Sequence, residues 1–553
     1  MRAKNSASSV PGQLRDKKKF ITSVGMTIAL AALSTSLCSA QTAPRGPDFN
    51  NDWFDDLAIG SPQENWQGTS TAGMISIGYG SNGGLDVPPG HAGFLTENSS
   101  GMQDSAEYGD VFGYGLAWGD FDGDCFDDLA IGAFGEDVNG DSNAGAIHVV
   151  YGSGVGISGA GSQFLHRDVS GVAGVSTQNA FFGNEIAAGD FDGDGFDDVA
   201  VSAHRDTVGG VVSAGSVHIF YGSPGGLSTI GDKIFSRSSL GLPVVSGDYF
   251  GNSLAAGDFD CDGRDDLAIG TPDADPGNKT SAGDVVVLYG TNSGLSTGGY
   301  QRWYQGYNGV NGLNEADDHF GTALAVGNFN GDVTPSGRQC LDLAIGSHAE
   351  DAGNLASTGA VHVLYGSSSS GLQTNSPAAQ IFTQSTSGIA GAPEAYDQFG
   401  YSLTIGRFNQ DHYDDLAIGI PGEDSGAGAV TIVKGGVNGL KGTGSVQWTQ
   451  ATAGISDHPE AGDRFGDALG YVSKLDWNGS TLLVGVYYED LNGITIPGLT
   501  HAIGLNSHIS SGFVLSSEEG LQQSTFGGSS AEYGDRFGEE IVAPRHVSFR
   551  CPM

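Results

Sequence analysis

Apolar positions in this chain fall in short runs that recur. Leu57-Ala58-Ile59-Gly60 returns as Leu129–Gly132, Val199–Ser202, Leu267–Gly270, Leu343–Gly346, Leu416–Gly419 and Leu482–Gly485, seven copies 66 to 76 residues apart. A Phe-Gly pair begins at Phe112, Phe182, Phe250, Phe320, Phe399, Phe465 and Phe537. A third run follows, at Tyr79–Leu85, Tyr151–Ile157, Tyr221–Leu227, Tyr289–Leu295 and Tyr365–Leu372, and more weakly at Lys434–Leu440. Each unit predicts four short strands: one after Phe-Gly, one over the LAIG run, one where Ile147, Val149 and Tyr151 alternate with His148 and Val150, and a variable fourth. Alternation with a period of two marks a strand, and no long helical period intervenes. The expected fold class is all-β, a seven-bladed β-propeller of four-stranded antiparallel blades. Asp48 lies just before the second strand of the first unit, and an orphan Phe-Gly strand spans Arg536–Pro544. That last strand is expected to join the first blade and close the ring, removing two open sheet edges.

Composition agrees with a turn-rich β domain: 92 of 553 residues are Gly, 18 are Pro, and 27 Phe and 18 Tyr supply core. The formal net charge of −41 argues against nucleic acid as a partner and favours cations. Residues 1–40 read as a signal peptide: a basic stretch at Arg15 and Lys17–Lys19, an uncharged apolar run Phe20–Leu37, and small residues at Cys38-Ser39-Ala40 before Gln41. The expected organisation is therefore a signal at 1–40, a linker at 41–47, a propeller at 48–544 and a mobile tail at 545–553. The mature chain is expected to be exported (secreted, periplasmic or cell-surface), monomeric, and without a transmembrane segment. Cys125, Cys261, Cys340 and Cys551 are too few for a disulfide scaffold and are expected mostly as free thiols.

The chemistry lies between first and second strands. Asp120, Asp122, Asp124 and Asp128 occupy positions 1, 3, 5 and 9 of one loop. Asp190, Asp192, Asp194 and Asp198 do so in the next, and Asp258, Asp260, Asp262 and Asp266 in a third. Position 7 offers a backbone carbonyl, from Phe126, Phe196 and Arg264. Oxygen ligands this dense suit Ca2+, and without a cation the carboxylates would repel. A fourth loop keeps Asp48, Asn50, Asp52, Phe54 and Asp56. The pattern then decays: Asn328, Asn330 and Asp332 are separated from Asp342 by six extra residues, and Arg407 replaces the first ligand beside Asn409, Asp411 and Asp415. Arg407 is expected to stand in for the ion. Three to four Ca2+ sites are expected.

These residues resemble FG-GAP repeats, as in the N-terminal propeller of integrin α subunits. The likeness covers about residues 48–544. It implies a seven-bladed propeller with calcium in some hairpin loops and a binding or adhesive role. No inserted ligand-binding domain, leg domain or cytoplasmic tail is legible, so pairing with a β subunit is not carried over. Similar propellers also form the non-catalytic part of a phospholipase D acting on glycolipid anchors.

Recurring Asp110, Asp248, Asp318, Asp397, Asp463 and Asp535 read as turn formers two residues before Phe-Gly, and His148, His218 and His362 as sheet-face residues. No nucleophile elbow, zinc-hydrolase or phosphate-loop motif is present. The expected function is a non-catalytic binding module for an extracellular protein or glycan; the alternatives are a secreted hydrolase on a propeller scaffold and a structural envelope or matrix protein. In a four-stranded meander the second-to-third and blade-to-blade connections share the rim away from the acidic loops. Those connections carry Tyr108, Tyr304, Tyr307, Tyr396, Trp448 and Tyr533, the expected ligand face, with Glu107, Glu315, Asp317, Glu394 and Glu460 beside them.

Overall fold

The LAIG runs lack the alternation of a half-exposed strand because both of their faces are covered. In the computed structural model, which describes residues 43–409, 411–455, 457–473, 480–489, 498–505, 515–526 and 536–547, every residue from Leu129 to Gly132 is buried. A strand covered on both faces reads as a continuous apolar run.

Seven four-stranded antiparallel sheets form the blades. Blade 1 contains β1 (Leu57–Ser61), β2 (Met74–Gly78) and β3 (Phe94–Leu95). Blade 2 is β4 (Leu116–Gly119), β5 (Asp128–Ala133), β6 (Ala146–Val150) and β7 (Gln163–Leu165). Blade 3 is β8 (Phe182–Gly189), β9 (Asp198–Ala203), β10 (Ser216–Tyr221) and β11 (Ser228–Phe235). Blade 4 is β12 (Ser253–Gly257), β13 (Asp266–Thr271), β14 (Asp284–Tyr289) and β15 (Ser296–Trp303). Blade 5 is β16 (Leu324–Gly327), β17 (Asp342–Ser347), β18 (Ala360–Leu364) and β19 (Gln380–Phe382). Blade 6 is β20 (Leu403–Gly406), β21 (Asp415–Ile420), β22 (Ala429–Lys434) and β23 (Lys441–Trp448). Blade 7 is β24 (Phe465–Val472), β25 (Thr481–Val486), β26 (Leu499–Leu505) and β27 (Leu515–Leu521). The last strand, β28 (Glu540–Ile541), returns to pair with β1, Ile59 opposite Ile541 and Gly60 opposite Glu540. The expected closure is thus formed.

The core is divided among the blade interfaces. Leu129 and Ile131 point toward Ile75 and Ile77 of blade 1, whereas Ala130 packs with Phe182 and Ile186 of blade 3. The Phe-Gly corner joins each interface. Phe112 N–H donates to Ala72 O at 3.1 Å, and the same bond recurs from Phe182 to Ala144, Phe250 to Ala214, Phe320 to Ala282, Phe399 to Thr358 and Phe465 to Ala427. The glycine of the pair turns the corner at positive φ, 92° at Gly183. The LAIG glycine accepts its close approach: a Cβ on Gly132 would lie 1.9 Å from Gly183 O.

The first strands of blades 2 to 6 line a central cavity of about 100 Å³ together with Ala543–His546. The tail, expected to be mobile, is docked there as far as it is described. Arg545 and Arg45 exchange backbone hydrogen bonds at 3.1 Å, and both guanidinium groups lie over Trp118, 5.3 and 4.6 Å from the ring centre. Trp118 Nε1 donates to Ala543 O at 2.8 Å. The cause is electrostatic. The first carboxylate of each Asp-Asp pair faces the axis, and the basic groups answer them: Arg45 to Asp127 at 2.5 Å, Arg545 to Asp197 at 3.3 Å, His546 to Asp414 at 2.6 Å.

The free-thiol expectation is also corrected. Cys261 and Cys340 form a disulfide with Cα atoms 4.8 Å apart, and Cys125 is disulfide-bonded too. Residues 79 apart in sequence become neighbours because their loops sit on adjacent blades.

Gly132→Ala should destabilise the protein by roughly 3 kcal/mol, since two blade backbones must move apart. Thermal unfolding checks this, and an unchanged Tm would mean the corner is looser than described. Ending the chain at Asp535 should expose β1 and the edge of blade 7 to protease and lower Tm. A truncated chain that melts like the full one would show closure to be dispensable.

Candidate metal loops and binding face

The three acidic loops hold their carboxylates through repeated local bonds. Position 1 accepts loop N–H groups: Asp258 from Asp262 at 2.9 Å and Gly263 at 2.8 Å, Asp190 from Gly193 at 2.8 Å, Asp120 from Cys125 at 3.2 Å. Position 3 accepts from position 5, as in Asp124 to Asp122 at 3.1 Å, and position 5 from position 7, as in Phe126 to Asp124 at 3.0 Å. The Asp48 loop makes the same bonds with Asn50, Asp52 and Phe54. Position 9 is a buried clamp. Asp128 accepts from Phe121 at 2.8 Å and from Gly152 at 2.8 Å, and Asp56, Asp198 and Asp266 repeat this pairing.

Neighbouring loops are tied together. Asp197 N–H donates to Asp120 O at 3.0 Å while Asp120 N–H donates to the Asp197 carboxylate at 3.1 Å, and Asp127 with Asp48 and Asp265 with Asp190 do the same. The Phe196 side chain lies over Gly123 of the preceding loop, and Arg264 over Gly193.

These loops fit a hard cation. One oxygen each from Asp120, Asp122 and Asp128 lies within 4.8 Å of the others, as do oxygens of Asp190, Asp192 and Asp194, and of Asp258, Asp260 and Asp262. Asp120 Oδ1 is buried with no hydrogen-bond partner among the described residues. Burial first, and backbone donors and neighbouring acids after it, leave Asp120 pushed up to about 6, Asp258 to about 7, and Asp128 and Asp198 to about 9. In the third loop Arg264 ion-pairs with Asp262 and takes up part of the charge. Asp48 is raised to about 6, again by burial first, but its loop does not bring three acidic oxygens together as the others do.

The opposite rim is assembled from the loops expected there. Blade-to-blade segments hydrogen-bond to the second-to-third loops: Gly109 to Ser70, Gly247 to Ser213, Asp317 to Thr280, Tyr396 to Ala356. Tyr108 is 81% exposed, Tyr396 67% and Tyr307 41%, and Tyr304 stacks on Tyr307 with centroids 4.5 Å apart. Glu107, Glu315, Asp317, Glu394 and Glu460 are exposed beside them. Trp448 does not belong to this set. It ends β23, is 6% exposed and packs in the blade 6–7 core, at the register occupied by Leu165, Phe235, Trp303 and Phe382 in other blades. Tyr533 lies outside the described residues.

Sequence reasoning missed a belt of half-exposed aromatic side chains set by the residues flanking the Phe-Gly corners and following the LAIG runs. Tyr114 meets Phe134 at 4.7 Å, Phe134 meets Phe181 at 4.9 Å, and His348 meets Tyr401 at 5.5 Å. Arg205 lies over Phe181, Arg464 over Tyr401 and Arg536 over Tyr487. Within it Glu185 is pushed up to about 8 by burial, and Glu539 to about 7 by burial first, with Asp467 adding to the shift and Arg536 opposing it. Aligning the corner positions across the units would have revealed this ring.

The FG-GAP repeat model matches residues 112–150, 182–220, 250–288 and 399–433. The chain thus carries four FG-GAP repeats within its seven-bladed propeller. It is homologous to integrin alpha subunits, being 32% identical over 231 residues to integrin alpha-V of Gallus gallus, which covers 40% of this chain and 19% of that protein. It is 29% identical over 200 residues to the phosphatidylinositol-glycan-specific phospholipase D of Homo sapiens, covering 35% of this chain and 22% of that protein. The chain thus spans about a fifth of the length of these curated relatives. Among solved structures, the Bacillus licheniformis rhamnogalacturonan lyase PL11 is 12% identical with a TM-score of 0.31, covering 92% of this chain and 70% of that one, a likeness that carries no argument.

The three full acidic loops fall inside matched FG-GAP repeats, and the interrupted Asn328 loop falls outside them. There the Asn328 amide donates to Asp332 O at 3.0 Å, and Asn328 Oδ1 and Asp332 Oδ1 remain buried without partners among the described residues. In the fourth FG-GAP match, Arg407 does not stand in for an ion. Its guanidinium turns to Asp414 at 3.0 Å, while Asn409 closes on Asp415 at 3.4 Å.

Protons and cations should compete for the three loops. Carboxylates raised above their unfolded range of about 4 stabilise the fold when protonated, and that contribution is lost as pH rises through about 6 to 9. The chelated protein should therefore melt lower at pH 8.5 than at pH 5.5, and Ca2+ should remove or reverse the trend. Calorimetry across pH checks this. Equal melting at both values, with and without Ca2+, would uncouple these carboxylates from stability.

Proposed function

We propose that the chain is an exported, calcium-stabilised monomeric propeller that binds an extracellular protein or glycan through the rim opposite its acidic loops, and that it is not an enzyme. Residues 1–40 are the export signal in this reading, 48–544 the propeller, and the acidic loops starting at Asp120, Asp190, Asp258 and Asp48 hold three to four Ca2+ ions. The observation that carries it is the group of exposed tyrosines on one rim, Tyr108, Tyr307 and Tyr396, on the loops around the partly buried aromatic belt from Tyr114 to Tyr487. Aromatic faces give contact area at low entropic cost and accept sugars or cationic groups. A ligand bearing positive charge would draw the raised carboxyl groups of Glu185 and Glu539 into their charged form.

Calcium in this reading supplies positive charge that lets the carboxylates converge, and the chain's own Asp side chains fix the loops around it. Similarity to integrin alpha subunits supports a binding role. Similarity to a phospholipase D leaves enzymatic activity open, and among the described residues no helix is long and apolar enough to cross a membrane.

The mature protein should be screened against arrays of glycans and matrix proteins. Replacing both Tyr304 and Tyr307 with Ala, and separately Phe181 with Ala, should weaken the best binder about tenfold or more at unchanged Tm. Loss of binding only when the acidic-loop rim is altered would reassign the face. Turnover of an ester, peptide or glycoside panel would replace the binding reading with a hydrolase.

A further inference from the structure

In blades 1 to 6 the fourth strand is followed by one side chain buried at the junction with the next blade. In blades 2 to 6 that side chain is a donor. Arg167 reaches Asp206 at 2.7 Å, Arg237 reaches Asp284 at 2.8 Å, Gln384 Nε2 reaches Glu423 Oε2 at 2.6 Å, Gln450 Nε2 reaches Glu489 Oε2 at 2.7 Å, and Gln305 reaches Glu350. Each of these five junctions therefore pairs an acid, buried in all but the half-buried Glu350, with a hydrogen-bond donor.

The junction between blades 1 and 2 breaks the rule. Its side chain is Glu97, which faces Glu136 and Asp110, and one carboxylate oxygen from each lies within 4.8 Å of the other two. The three residues are 1%, 4% and 2% exposed. Glu136 Oε2 is the counterpart of the atoms on Glu423 and Glu489 that accept an amide hydrogen. Here it is buried without a hydrogen-bond partner among the described residues, and so is Glu97 Oε2. The other Glu97 oxygen is 3.0 Å from His148 Nε2. Burial holds that imidazole down to about 4, so it is neutral near pH 7 and does not offset the negative charge.

We propose that Glu97, Asp110 and Glu136 form a site for a hard divalent cation, Ca2+ or Mn2+, on the rim opposite the acidic hairpin loops. Three anionic oxygens and no thiolate select a hard ion. Magnesium, which keeps several waters, suits so enclosed a pocket less well. The electrostatics agree. Burial comes first at all three: it pushes Glu97 to about 8 against a side-chain hydrogen bond with Asp110, Asp110 to about 8 with Glu97 adding to it, and Glu136 to about 10 with Asp104 and Asp110 adding to it. The cluster must hold protons or a cation at neutral pH. Glu107 N–H donates to Asp110, and Asp110 leads into the corner at Phe112, so an ion here would tie the two blades at their interface.

The test compares the full mature chain with Glu97→Gln. That substitution installs the residue present at Gln305, Gln384 and Gln450, so the variant should fold. Equilibrium dialysis with Ca2+ and electron paramagnetic resonance titration with Mn2+ count the ions. The wild type should bind one more ion per chain than Glu97→Gln, and Glu136→Gln should lose the same ion. Anomalous diffraction from Mn2+-soaked crystals should place it among the three carboxylates. The hairpin loops are intact in all three proteins, so the difference reads this site whatever those loops bind. Equal ion counts in wild type and both variants would mean that the cluster is held by protons, and would overturn the proposal.

Discussion

Everything in this propeller depends on how closely one blade's backbone lies on the next. The Phe-Gly corner sets that distance. Phe112 and its counterparts bury an aromatic ring and donate a main-chain hydrogen bond to the preceding blade, and the glycine turns the chain over the LAIG glycine below. Side chains at either glycine would hold the blades apart. Because the corner is nearly identical at each interface, the angle between blades is repeated, and β28 can meet β1 with the same bond pattern, Gly538 N–H donating to Gly60 O at 3.1 Å. Closure is a consequence of the corner rather than a separate device.

A frame fixed this way gives its two rims different work. On one rim the paired aspartates act twice: the second clamps its own loop, and the first bonds to the loop before it. A carboxylate that arranges backbone is already oriented when a cation arrives, so less ordering is left for binding to accomplish. The cross-bonds between adjacent loops also mean that ordering one loop restrains its neighbour. On the other rim, the residues flanking each corner are free to vary, because their backbone is held by the corner itself. Aromatic and basic side chains collect there without disturbing the core.

What could be read from the sequence was what repeats. The strands, the number of blades, the acidic loops and the closing strand all follow from positions that recur in register. Features depending on ring geometry were hidden. Cys261 and Cys340 are neighbours only because adjacent blades bring their loops together. The tail was read as mobile because it matches no repeat, whereas Arg545 and His546 are fixed by a carboxylate ring drawn from several blades. Trp448 was misread for a different reason. The fourth strand is irregular and partly exposed, so its single buried position emerges only when Leu165, Phe235, Trp303 and Phe382 are set beside it. Arg407 was expected in the ion's place beside Asn409, Asp411 and Asp415, whereas it turns to Asp414, a fully buried carboxylate of the same loop.

The excess of acids then becomes a question of where each is answered. At the axis, Arg45, Arg545 and His546 answer Asp127, Asp197 and Asp414; burial alone would raise Asp414, but His546 and Arg407 pull its carboxyl below the ordinary value. At the blade junctions, Arg167, Arg237 and three glutamines do so. With only 23 Lys and Arg against 64 Asp and Glu, side-chain donors run out, and they do so at identifiable places. The acidic hairpins gather carboxylates, of which Arg264 answers Asp262, and at the Glu97 junction Glu136 Oε2 and Glu97 Oε2 are buried without a hydrogen-bond partner among the described residues. Uncompensated charge at such depth is costly enough that it must be neutralised. A proton does this only below the raised pKa values, so at neutral and alkaline pH the cations proposed above would answer the same deficit on both rims.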